Sequence, residues 1–138
     1  MLPPHIVIDT NCLLQIISRR SQYYVAWNKF INGEYMLCVT NEILQEYEEL
    51  LSVRTSSHIA KMIIEIILKS PHTMKLEAHY RWGLIQADWD DNKFVDCAIV
   101  ANADYIVSED GHFKALASIP FPHVNVIRLD DFIQRLTV

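Results

Sequence analysis

Short runs of apolar residues alternate with longer helical patterns along this chain, and that alternation limits the folds open to it. Residues 5–9 (HIVID), 35–39 (YMLCV), 104–108 (DYIVS) and 124–127 (VNVI) are mostly apolar over four or five positions. A strand with one wet face alternates polar and apolar side chains, whereas a continuously apolar strand is covered on both faces. Between these runs lie helical segments. One covers 11–17. A second runs from an Ser21 cap to Phe30 and is closed by Asn32-Gly33. A third runs from Thr40 to about Ser52, and a fourth from a cap within 55–57 to just before Pro71. A polar loop at 87–91 leads into a helix over 92–102. Residues 73–78 read as a further strand, 113–116 as a helical turn, and Asp130 as the cap of a last helix. Strands alternating with helices predict an α/β fold, a three-layer α/β/α sandwich around a parallel sheet.

Length and composition fit one such unit, read as a single domain over 1–138. The chain has 138 residues, and 51% hydrophobic content is enough to fill one core. The greasiest run, 62–68, is short and interrupted by Glu65, so no membrane span is expected. The first residues lack a basic region, and their apolar run stops at Asp9, unlike a secretory leader. Cys12, Cys38 and Cys97 are isolated in apolar segments without a C-x-x-C pair, which predicts buried reduced thiols and a cytoplasmic setting. No glycine-rich phosphate loop occurs, which excludes a P-loop NTPase. The six histidines form no His-x-x-x-His pair and are read as surface or core residues, His112 alone lying near the acids considered next.

Those acids are the chemical content of the sequence. In a parallel sheet, ligands bind beyond the carboxyl ends of the strands. Asp9 ends the first strand and Asp110 lies two residues beyond the strand at 104–108, so both are expected in one crevice. Either could instead only cap a helix. Asp96 sits in a segment, 94–101, that is apolar on every face and should be buried all round. A buried carboxylate needs a cation. Lys93 and Lys114 are the few basic side chains nearby, and a metal ion is the preferred partner. On the helix over 41–52, the apolar arc of Ile43, Leu44, Tyr47, Leu50 and Leu51 leaves Glu46 at its edge, with Glu42 as second choice. Glu48 and Glu49 read as solvated. The net charge of −5 argues against an extended basic nucleic-acid surface. Four metal-bound carboxylates would leave the remainder nearly neutral.

Residues 6–11 (IVIDTN), 42–47 (EILQEY), 90–98 (DDNKFVDCA) and 103–110 (ADYIVSED) together resemble the PIN domain family, and within it the bacterial toxins of toxin–antitoxin pairs. The likeness runs in order over essentially the whole chain. It implies an endoribonuclease dependent on Mg²⁺ or Mn²⁺, with Asp9, Glu46, Asp96 and Asp110 as the metal-holding, catalytic quartet. Asn11 and Ser108 match supporting polar positions, Ser108 standing where threonine is commoner, and Asp91 matches an extra acid. An RNA substrate, an antitoxin protein partner and homodimerisation are what the resemblance leads one to expect. Hard divalent ions prefer carboxylate oxygens and can activate water for phosphodiester hydrolysis, so no side-chain nucleophile is required. Two other readings remain. An aspartyl phosphatase of the haloacid-dehalogenase type would want an aspartate where Asn11 stands. A PIN-like module that binds RNA or protein without cutting would have lost one or more of the acids.

Overall fold

The computed structural model describes residues 2–137. In chain order the elements are β1 (His5–Ile8), α1 (Thr10–Ile16), α2 (Tyr24–Ile31), β2 (Met36–Val39), α3 (Asn41–Arg54), α4 (Ser57–Lys69), β3 (Thr73–Lys75), α5 (Asn92–Val100), β4 (Tyr105–Val107), β5 (Val126–Ile127) and α6 (Leu129–Thr137). All strand pairings are parallel, in the order β3-β2-β1-β4-β5. Ile6, Val7 and Ile8 point alternately to opposite faces, and none is more than 1% exposed. Both faces of the central strand are therefore covered, and the expected three-layer α/β/α sandwich is what forms.

The order of strands fixes where chemistry can occur. From β1 the chain moves outward through β2 to β3, then returns to place β4 on the other side of β1. The crevice at this reversal lies between the carboxyl ends of β1 and β4, whose register pairs Ile8 with Val107. Asp9 continues the ladder, its amide donating to Val107 O at 3.1 Å. Among the described residues no helix is long and apolar enough to cross a membrane.

Several local readings shift. Ser21 does not cap α2: the helix starts at Tyr24, and the Ser21 hydroxyl instead accepts from Tyr23 N in a preceding turn. Asp130 is not the cap of α6 but lies in its first turn, where its carboxylate accepts from the Tyr23 hydroxyl at 2.8 Å. β3 is shorter than expected, and α5 stops at Val100, short of Asn102, which adopts a positive φ. The turn near 113–116 widens into a 3-10 helix over Gly111–Ser118. Gly33 does close α2 as expected. Its φ of 78° is the left-handed conformation that lets Glu34 N reach back to Lys29 O at 2.9 Å. The three cysteines are buried and unpaired.

Candidate active site

Asp9 lies where β1 gives way to α1, and both its carboxylate oxygens are held. Oδ1 accepts from Cys12 N at 2.9 Å, capping α1, and Oδ2 accepts from the Ser108 hydroxyl. Ser108 follows β4 and is itself buried. Its oxygen also accepts from Asp110 N at 3.0 Å. Asp110 in turn caps the 3-10 helix by accepting from His112 N at 2.9 Å. The His112 ring then brings in another segment: Nδ1 lies 3.3 Å from Asp91 Oδ2 and 3.3 Å from Asp110 Oδ1. Asp9, Ser108, Asp110, His112 and Asp91 thus form one connected chain across the crevice. It is buried at Asp9 and most open at Asp110 and His112.

Asp88 joins at the rim. One ligand atom each from Asp88, Asp91 and His112 lie within 4.8 Å of one another, a spacing compatible with a shared cation. Carboxylate oxygens dominate the set, the donors that Mg²⁺ and Mn²⁺ select. On donor chemistry these residues fit a hard divalent ion. Burial, together with the neighbouring Asp110 and Asp88 carboxylates, pushes the Asp91 carboxyl up to about 6, although His112 pulls the other way. This sets a pH dependence. As pH rises from the ordinary aspartate value of 3.8 towards about 6, the unfolded chain releases a proton that the folded protein still holds. The contribution of Asp91 to stability in chelator falls across that window and levels off above it. Thermal melts in EDTA should show this decline in wild type and a shallower one in Asp91→Asn. Equal slopes would mean that neither burial nor neighbouring charge raises the Asp91 carboxyl in the folded protein.

Glu46 sits beside this chain rather than in it. Its Oε2 accepts from the hydroxyl of Thr10, the residue after Asp9, and its Oε1 lies 2.6 Å from Lys93 Nζ. Asp96 is buried as periodicity required, at 5% exposure. However, its oxygen accepts from Trp82 N at 3.2 Å, and its carboxylate borders a cavity of about 100 Å³ shared with Glu42, Arg81, Asp90 and Lys93. Burial raises the Asp96 pKa, partly offset by the Trp82 amide and by Arg81. The structure thus links Asp9, Ser108 and Asp110 by hydrogen bonds, reaches Asp91 through His112 and Glu46 through Thr10, and gives Asp96 the Trp82 amide as its partner. Asn11 is exposed in the first turn of α1. The sequence reading missed Asp88 and His112 as members. The available signal was the Asp88-x-x-Asp91 spacing, together with a histidine two positions beyond Asp110.

A parallel sheet whose switch point carries this run of acids matches a described family. The PIN domain model matches residues 5–112, and the chain belongs to the PIN domain family. Its fold is similar to VapBC2 from Rickettsia felis, solved bound to a DNA fragment from its promoter: TM-score 0.62, 15% identity, covering 90% of this chain and 98% of that one. It is also similar to VapC20 of Mycobacterium tuberculosis, described as a toxin that cleaves the sarcin-ricin loop: TM-score 0.58, 16% identity, covering 80% and 93%. The PIN domain endonuclease Utp24 aligns with TM-score 0.56 and 16% identity, covering 91% and 85%. Comparison with curated proteins finds no match. Family membership replaces the phosphatase alternative.

Proposed function

We propose that this chain is a metal-dependent endoribonuclease, a toxin of a toxin–antitoxin pair, which hydrolyses RNA at the crevice between β1 and β4. The observation that carries the reading is the hydrogen-bonded run from Asp9 through Ser108 to Asp110, closed by His112 onto Asp91. Asp9, Asp110 and Asp91 are the residues that would hold Mg²⁺ or Mn²⁺. Glu46 stands next to Asp9 through Thr10. Asp96, expected from the family resemblance as a further metal-holding acid, accepts from Trp82 N. When bound, the ion supplies neutralisation of the phosphate and activation of a water for in-line displacement.

The protein's own groups set the geometry. The Ser108 hydroxyl fixes the rotation of the Asp9 carboxylate, and the Cys12 amide holds its other oxygen, so Asp9 needs no reorganisation on loading. Asp110 and Asp91 are held through His112 at the open end, where a phosphodiester has access. The VapBC2 and VapC20 similarities support an RNA substrate and a protein partner for this chain, and homodimerisation completes the proposal.

The deciding experiment incubates purified protein with single-stranded RNA and Mn²⁺. Internal cutting that EDTA abolishes is the expected result. RNA left intact but retarded on a low-salt gel would instead identify a binding module. Cutting that persists in EDTA would overturn the metal-dependent mechanism.

A further inference from the structure

One cation in this region belongs to the protein itself. The Lys93 side chain, on α5, is only 8% exposed, yet its ammonium is completely satisfied. It lies 2.6 Å from Glu46 Oε1, 2.9 Å from Asp90 Oδ2 and 3.1 Å from the Asp90 carbonyl oxygen. An ammonium has three N–H donors, and here there are three oxygen acceptors. Glu46 is satisfied to the same degree, because its second oxygen is taken by the Thr10 hydroxyl. By contrast, the acids at the Asp91 end face one another across a single imidazole. The two ends of the crevice are therefore unlike: one has surplus negative charge, and at the other a protein cation already occupies the carboxylates.

We propose that Lys93 is a built-in cation standing in for a second divalent ion at Glu46, so that each chain takes up one ion, on the Asp9–Asp110–Asp91 side. An ion at Glu46 would have to displace an ammonium that is buried, fully bonded and anchored by its own helix. It would also sit beside that positive charge for as long as the ammonium stayed. Lys93 is accordingly a positioning residue. It holds Glu46 against Thr10, and through Thr10 it steadies the segment that carries Asp9.

The inference rests on the metal-dependent reading, and counting ions separates the two. Metal-free protein is titrated with Mn²⁺, the free ion followed by electron paramagnetic resonance and the heat by calorimetry. Wild type is expected to bind one ion per chain. Lys93→Met is expected to bind two, with the second lost again in Lys93→Met/Glu46→Gln. Lys93→Arg, which keeps the charge, should remain at one. In EDTA, Lys93→Met should melt roughly 5 °C or more below wild type, since it leaves Glu46 and Asp90 without their cation. Mn²⁺ should recover more of this deficit than it adds to wild type. Two ions on wild type, or one on folded Lys93→Met, would overturn the role given to Lys93 and leave the nuclease reading standing. If Lys93→Met does not fold without metal, Glu46→Gln decides. One ion bound supports the inference, and none overturns it, because Glu46 would then be a ligand. Absence of any Mn²⁺ binding to wild type would remove the nuclease reading itself.

Discussion

Asp9→Asn protein is expected to cut RNA on the order of a thousandfold more slowly than wild type, a loss of about 4 kcal/mol of transition-state stabilisation, while remaining folded. The substitution keeps the shape of the side chain but removes the charge at the buried end of the acidic run. The asparagine oxygen can still accept from Cys12 N and so cap α1. The new amide group meets Ser108, whose hydroxyl oxygen has a second lone pair to receive it. Removing one of several like charges also relieves repulsion, so the melting temperature in EDTA should equal or exceed that of wild type. Asp9→Ala provides the contrast: it loses the cap as well, at about 1 kcal/mol, and should melt lower. Undiminished cleavage by Asp9→Asn would take Asp9 out of the chemistry. A large fall in its melting temperature would make the carboxylate a structural ion-pair member instead.

Asn92→Ala is expected to destabilise the protein by about 3 kcal/mol and to weaken metal binding, although Asn92 touches no acid of the site. The Asn92 side chain is buried and makes three hydrogen bonds. Its oxygen accepts from Ile85 N at 2.9 Å, and its amide donates to Ile85 O at 2.8 Å and Trp89 O at 3.1 Å. It therefore ties Ile85, in a stretch without regular structure, to the short 3-10 helix over Trp89–Asp91 that precedes α5. Truncation strands the buried amide and carbonyl of Ile85 and frees the turn that carries Asp88 and Asp91. Urea unfolding gives the stability, and calorimetric Mn²⁺ titration gives the binding. Asn92→Asp should do comparable harm, since a carboxylate oxygen would face two carbonyls. Unchanged urea midpoints in both variants would show that the Asn92 bonds do not hold the loop.

The sheet was legible in the sequence because its signal is local and strong. A continuous apolar strand can exist only between covering layers, and Asp9 and Ser108 come at or just after the ends of two such strands. Glu46 was placed correctly relative to the helix surface by the arc of Ile43, Leu44, Tyr47 and Leu51, all buried. What periodicity could not supply was its partner. Lys93 lies on a different helix, and nothing in either segment encodes their meeting. For Asp96 the burial was legible and its hydrogen-bond partner was not. The carboxylate is buried, as its helix requires, but the amide of Trp82 meets part of its need. That amide belongs to a segment without regular structure, which no repeat pattern could position. His112 and Asp88 were passed over for a similar reason, since their contact depends on how two loops fold over the sheet edge. The misplaced caps at Ser21 and Asp130 are smaller errors. In each case a suitable residue type stood within a few positions of the helix start; a local turn onto the Tyr23 amide took up Ser21, and a tertiary contact with the Tyr23 hydroxyl took up Asp130.

The bond between Ser108 and Asp9 joins residues 99 apart in the chain, and this separation bears on how the protein is made. At usual elongation rates, Ser108 is added about 5 to 20 s after Asp9. Until then a growing chain has the first strand and its aspartate, but not the neighbour that orients it or the loop bearing Asp110. A nascent copy therefore has no assembled crevice before residue 110 is in place. For an enzyme whose proposed substrate is RNA, late assembly keeps the ribosome and message producing it out of reach until Ser108 and Asp110 have been made.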